Sequence, residues 1–414
     1  MKSYLIVCVL IVSLAADVFA ADGRDSRRNR PRFAYDVDFE MNFDNREYDP
    51  SSFSESRTIF GARLTPSAGL SLKERSGGVH SLMLGIDIMK DFGDSRIPAG
   101  IAGEGSDEVS PSLENWDLFH EITIYYRYLF RKGRTDIEIT AGIFPRRFME
   151  GHYSRAFFSD SLKFYDNNLE GMLFTFRRSA SYFEAGCDWM GMYGTDRRER
   201  FMIFTSGSGR LCDFLTAGYA AYLYHFAGAE NVSGVVDNAL VNPYVTFDLS
   251  SLCGLQRLDF TLGWLQSMQN DRKNIGKYTF PHGGEFTAAV RNWNVGMENC
   301  LFYGTDMMPY FRNVDLAGNM YGDLLYMGEP FYKVDMDSGK PGFYDRLELF
   351  YEPHISDFLS LKASMVFHFN GWSYSGCQQV VTLKFNLQSL IGREKKKQPG
   401  RTGWHIQTAD RVRL

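Results

Sequence analysis

The side chains that could do chemistry in this 414-residue chain are charged groups set at alternate positions and arginines gathered in one connection. Asp36, Asp38 and Glu40 occupy every second place of the run 33–44, and Lys362 and Lys384 continue the same habit near the other end. Arg146, Arg147, Arg155 and Lys163 crowd the segment 145–167 beside Glu150, Asp160 and Asp166. A guanidinium offers a planar fork of donors suited to carboxylates and phosphates. Around a water path, such charges would orient passing solutes; they could equally line water and neutralise one another. Catalytic spacing is missing. The eight histidines are isolated, and none forms the HExxH pair of a zinc site. No GxSxG occurs, and Ser154 near His152 is not a nucleophile motif. Gly207-Ser208-Gly209 reads as a turn and not as a phosphate cradle. No metal site and no cofactor are expected, and the chain is expected not to be an enzyme. A site assembled across strands would escape this kind of search.

What must position these groups is visible in the periodicity. From 33 to 44, Phe33, Tyr35, Val37, Phe39, Met41 and Phe43 alternate with polar or small residues. A soluble strand averages about 5 or 6 residues, whereas a tilted strand that crosses a bilayer needs about 9 to 11. The pattern recurs near 57–72, 82–88, 122–130, 137–143, 168–177, 181–193, 200–206, 211–226, 240–249, 255–268, 283–291, 295–303, 342–352, 358–369 and 377–388. Alternate connections are short: 73–78, 132–133, 178–180, 207–210, 250–254, 292–294 and 353–357. The others run mostly long: 45–56, 91–116, 145–167, 194–199, 227–239, 269–282, 304–341 and 370–376. Tight periplasmic turns and longer external loops are the habit of outer-membrane barrels. In hydrocarbon every backbone donor and acceptor must bond internally, so the sheet has to close on itself. The expected fold is all-β: one closed antiparallel transmembrane β-barrel of about 16 strands, spanning 33–388.

Composition agrees. Hydrophobic residues make up 44% and aromatic residues 15%, with 34 Phe and 23 Tyr, yet no mature segment is apolar for long enough to be a membrane helix. A net charge of −5 argues against a nucleic-acid partner. Residues 1–20 read as an export signal, with Lys2, an apolar stretch and Val18-Phe19-Ala20. Residues 21–32 read as a flexible polar segment, and 389–414 as a polar tail on the periplasmic side. Beyond the signal, Cys187, Cys212, Cys253, Cys300 and Cys377 are an odd, widely spaced set, which suits small fillers on strands better than a disulfide framework.

With signal, strand rhythm and loop order in place, the chain resembles the porin group of Gram-negative outer-membrane barrels, in architecture only, across about 33–388. A barrel of the Bacteroides type is the nearest description. The porin plan sends the third external loop into the lumen; here that loop is 145–167, and the resemblance makes Asp36, Asp38, Glu40, Arg146, Arg147, Arg155, Asp160, Lys163, Lys362 and Lys384 the groups lining the pore and its constriction. It implies passive or weakly selective diffusion of small hydrophilic solutes across the outer membrane. Outer-membrane lipid and the barrel-assembly machinery are the implied partners, and a homotrimer is one implied assembly. Two other functions stay open: a barrel hydrolase, and a non-conducting surface barrel whose loops bind a partner. The longest connection, 304–341, rich in Tyr, Met and Phe, suits either a ligand-gating loop or a self-packed lid. One departure from the porin pattern is the end of the chain, Leu414 in place of an aromatic residue, with the last strand's aromatic at Phe385.

Overall fold

A computed structural model describes residues 31–49, 56–92, 121–195, 197–230, 234–314, 321–333 and 340–387. The expected signal 1–20, nearly all of the segment 21–32 and the tail 389–414 lie outside them. The described chain is an antiparallel sheet of seventeen hydrogen-bonded segments. In order, β1 is Arg32–Tyr48, β2 Arg57–Lys73, β3 Val79–Asp91, β4 Glu121–Lys132, β5 Thr135–Pro145, β6 Asn168–Arg178, β7 Ser181–Gly191 and β8 Arg200–Cys212. Then come β9 Leu215–Phe226, β10 Val236–Asp248, β11 Arg257–Asp271, β12 His282–Asn292, β13 Val295–Gly304, β14 Gly342–Tyr351, β15 Leu359–Asn370 and β16 Ser373–Asn386. The remaining segment, His354–Ser356, pairs with β15 just below β14 and continues that stave past Glu352-Pro353, so the wall has sixteen staves. The barrel closes through β1 and β16, with Glu40 opposite Lys384 and Asp44 opposite Val380.

The alternation sets the two faces of the wall. Leu82, Ile122, Ile124 and Ile203 point away from the barrel axis and are more than half exposed. Their neighbours Met83, Thr123, Tyr125 and Met202 point inward and are buried. Aromatic residues gather toward both ends of the outer wall, with Phe60, Phe92, Trp189 and Trp264 at one end and Tyr126, Phe183, Trp293 and Tyr351 at the other. An exposed aliphatic belt between aromatic girdles is the surface that an outer-membrane barrel turns to lipid. The protein is therefore a closed β-barrel of the outer membrane. The tight turns after β2, β4, β6, β8, β10, β12 and β14 share one rim, the periplasmic one, with the start of β1 and the end of β16.

Two turns differ from the sequence reading. Gly207-Ser208-Gly209 is not a turn: all three lie inside β8, and the hairpin turns at Asp213-Phe214. Glycine and serine looked like chain-reversal signals, yet at Gly207 small size is what matters, since Tyr219 lies 3.1 Å from where a Cβ would be. Nor is 370–376 a long loop; it is the two-residue turn Gly371-Trp372. At Gly142, φ is +119°, and a Cβ would sit 2.2 Å from the Ile124 carbonyl oxygen of β4. Strain of this kind costs about 1–3 kcal/mol before any clash is counted. Gly142→Ala should lower the temperature of heat-induced unfolding on a gel-shift assay, while Gly209→Ala, with open space around it, should not.

Candidate functional site

The lumen holds two of the long loops. After β5 the chain enters a single 3-10 turn, Arg146–Phe148, and then circles the inner wall before a short helix, α1 (Asp160–Tyr165), returns it to β6. Ser159 caps that helix by accepting a hydrogen bond from the Leu162 amide at 3.0 Å. The circuit can be followed through its polar ties. Arg147 pairs with Asp36 at 2.9 Å and with Asp38 on β1. The Glu150 amide donates to Glu184 on β7 at 2.6 Å, and the Ser154 hydroxyl donates to Glu285 on β12 at 2.7 Å. Arg155 reaches Glu298 on β13 at 3.3 Å and Glu348 on β14 at 3.7 Å. Arg46 of β1 donates to Ser161 at 2.7 Å, and Arg63 of β2 to the Tyr165 carbonyl at 3.1 Å.

The loop after β13 packs onto this ring from the far side. Met307, Met308, Tyr310, Leu325, Phe331 and Tyr332 are all buried, in one cluster with Phe148, Phe157 and the wall residues Tyr125, Tyr222 and Tyr344. The Ser159 amide donates to the Met327 carbonyl at 2.7 Å, and the Glu329 amide to the Arg155 carbonyl at 2.9 Å. Where the two loops meet β9–β11, Ala156, Tyr222, Gln269 and Tyr332 line one small cavity. Of the two roles open for 304–341, this packing is that of a self-packed lid.

Each charged residue expected at a pore sits in this frame with a counter-charge. Besides Arg147 with Asp36 and Asp38, Lys384 pairs with Glu40 at 3.1 Å, Lys362 with Glu348 at 2.5 Å, and Arg146 with Asp188 at 3.1 Å. Arg155 and Lys163 converge on Asp160 at 2.7 and 3.2 Å. Burial pushes the Asp160 carboxyl up, but these two cations outweigh it and hold the group well below the usual carboxylate range. Burial lowers the His152 imidazole, so it stays neutral among its neighbours Tyr182 and Tyr244.

The outer wall carries a different constellation, which spacing alone did not reveal. Near the external rim, Trp189 on β7, Phe201 on β8, His225 on β9 and Asp237 on β10 are direct cross-strand partners, one after another, on the lipid-facing side. Trp189 and Phe201 stack at 5.3 Å between centroids, and Phe201 lies 4.9 Å from the His225 ring. His225 Nδ1 is 3.9 Å from Asp237 Oδ1. Arg272, just past β11, clamps the same carboxylate through Nε at 2.7 Å and its terminal nitrogen at 2.9 Å, and the Tyr278 hydroxyl approaches at 3.4 Å. An imidazole with an orienting carboxylate can take a proton from water. A fixed guanidinium can hold an anionic group or a developing oxyanion, and the aromatic surface can hold a ring or a chain.

Fold and rim together define an outer-membrane barrel whose interior is occupied and whose outer wall carries ionisable groups at headgroup level. Residues 26–336 match the Lipid A 3'-O-deacylase-type family, and the chain belongs to it. The expectation that the barrel is not an enzyme is thereby corrected, because this is a family of enzymes. Motif spacing missed it for a physical reason: groups brought together by strand register have no fixed separation along the chain. No curated protein matches the chain. Among solved structures, the barrel is similar to OccAB3 of Acinetobacter baumannii, at 11% identity over 86% of this chain and 98% of that one, TM-score 0.41. It is also similar to a loop-deleted OmpT, an outer membrane protein of Vibrio cholerae (9%, 86% and 99%, TM-score 0.47), and to OprB of Pseudomonas putida (9%, 86% and 94%, TM-score 0.44).

Proposed function

We propose that this barrel hydrolyses an acyl ester of a lipid A-type glycolipid in the outer leaflet, and that the reaction takes place on the outer wall at His225. The observation that carries the reading is the in-register His225–Asp237 pair at the external rim, facing the bilayer where such a lipid lies. Family membership supplies the reaction class. The lumen supports it by contrast. A free diffusion path needs open water across the barrel, whereas here two loops pack against the wall and against each other. On this reading Asp36, Asp38, Arg146, Arg147, Arg155, Asp160 and Lys163 hold the internal loop, Glu40, Lys362 and Lys384 pair within the wall, and none lines a permeation route.

The chemistry balances simply. His225 takes a proton from a water molecule, whose oxygen attacks the ester carbonyl carbon. Asp237 steadies the imidazolium, and Arg272 faces the negative charge that develops on the carbonyl oxygen. The tetrahedral species expels the sugar oxygen, which receives the proton from His225; the products are a fatty acid and the free hydroxyl. The test is direct. Purified barrel in detergent micelles is incubated with lipid A, and the lipid is analysed by mass spectrometry. Loss of one ester-linked acyl group is expected, with amide-linked chains intact. An unchanged lipid A spectrum would overturn the reading.

A further inference from the structure

A second group of side chains, on the opposite rim, has a tighter geometry and no part in the reaction above. At the periplasmic ends of β2–β4, His80 projects to the lipid side of β3. Its Nδ1 lies 2.6 Å from the Tyr126 hydroxyl of β4 and its Nε2 lies 2.5 Å from the Glu74 carboxylate in the β2–β3 turn. The partners assign the tautomer: a carboxylate can only accept here, so Nε2 carries the hydrogen, and Nδ1 accepts from the phenol. Tyr128 stacks on the imidazole at 4.3 Å between centroids and fixes its plane. Ser76 donates to the second Glu74 oxygen. The hydrogen bonds from Ser76 and His80 keep the Glu74 carboxyl below the usual carboxylate range, hence ionised.

Hydroxyl, imidazole and carboxylate in hydrogen-bonded series are the parts of an activated nucleophile. The surroundings name the substrate. Tyr126 is 40% exposed and stands directly opposite Leu82; Leu70, Leu84 and Ile124 continue an exposed apolar track toward the middle of the bilayer, and Leu72 stands beside His80. Arg75, in the same turn as Glu74, is exposed and has no ion-pair partner among the described residues. An apolar track leading to a hydroxyl, with a free cation at the water side, fits an acyl chain, its ester and a phosphate headgroup in that order. We propose that Tyr126, His80 and Glu74 form an acyl-transfer site for phospholipids of the inner leaflet of the outer membrane.

In the first step the Tyr126 oxygen bonds to the ester carbonyl carbon while its proton passes to His80 Nδ1. The bond to the glycerol oxygen breaks, and that oxygen takes the proton. Water, deprotonated by His80, then cleaves the acyl-tyrosine; its phenolate is a good leaving group and recovers the proton. The sum is one phospholipid and one water giving one fatty acid and one lysophospholipid. The inference is independent of the lipid A reading, and its test contains no lipid A. Full-length protein is refolded into vesicles of phosphatidylethanolamine and phosphatidylglycerol, and fatty acid release is measured alongside the mass of the peptide bearing Tyr126. Release by the native barrel is expected, falling at least about 100-fold in both Tyr126→Phe and His80→Gln. Tyr126→Phe removes one oxygen and leaves the ring in the girdle, so heat-modifiable gel migration should stay native. A barrel that releases no fatty acid, or equal release by native protein and a folded Tyr126→Phe variant, overturns the proposal.

Discussion

His225→Ala is expected to slow removal of the acyl group from lipid A by at least about 100-fold, the usual contribution of a positioned general base. The binding constant for lipid A should hardly change, because the rings of Trp189 and Phe201 remain stacked without the imidazole. Asp237→Asn should give a smaller loss, since the amide still occupies the space but no longer steadies an imidazolium. It also releases Arg272, whose two bonds to that carboxylate hold its fork in place. Arg272→Lys should therefore act mainly through the affinity for substrate, as a point charge replaces a rigid fork. The measurement is the rate of product appearance across a range of lipid A concentrations, with gel migration confirming that each variant is a folded barrel. Equal rates for native and His225→Ala protein would place the chemistry elsewhere on the wall.

The wall was legible in the sequence because a membrane strand is a repetitive object. The run 33–44 alternates without a break, and the structure carries it from Arg32 to Tyr48. The runs 283–291 and 295–303 become β12 and β13, split by the turn Trp293-Asn294, whose two residues both have positive φ. That is the backbone of a tight hairpin turn, at the short connection read at 292–294. In the sequence, the arginines clustered in 145–167 read as a pore constriction. They belong to a loop inside the barrel, and each meets a carboxylate there. The outer site was beyond reach for the opposite reason. Opposition of His225 and Asp237 depends on the register of β9 against β10, and neither residue has a chemically telling neighbour along the chain. The same holds for Tyr126 and His80, which meet only because β3 and β4 pair with His80 facing Tyr128.

The largest effect expected inside the barrel is at Arg155. Its side chain is 19% exposed and bridges Asp160, Glu298 and Glu348, so one guanidinium ties the internal ring to two staves. Arg155→Ala removes the one cation shared by these three acids, leaving Asp160 to Lys163, Glu298 to Arg257, and Glu348 to Arg346 and Lys362. Because each acid keeps a second cation, the loss stays below the about 3–5 kcal/mol that stripping a buried charge of its only partner costs. That loss falls on the contact between ring and lid and not on the wall, whose backbone ladder is untouched. The native barrel should pass little current across a planar bilayer, and Arg155→Ala should add frequent large openings, as should deletion of 149–163. Arg155→Lys separates charge from shape. It keeps a cation near the three acids but cannot bridge them together, so openings intermediate in frequency are expected. If all four proteins conducted alike, the loop would not be what closes the lumen, and the contrast between a blocked interior and a reactive outer wall would lose its physical basis.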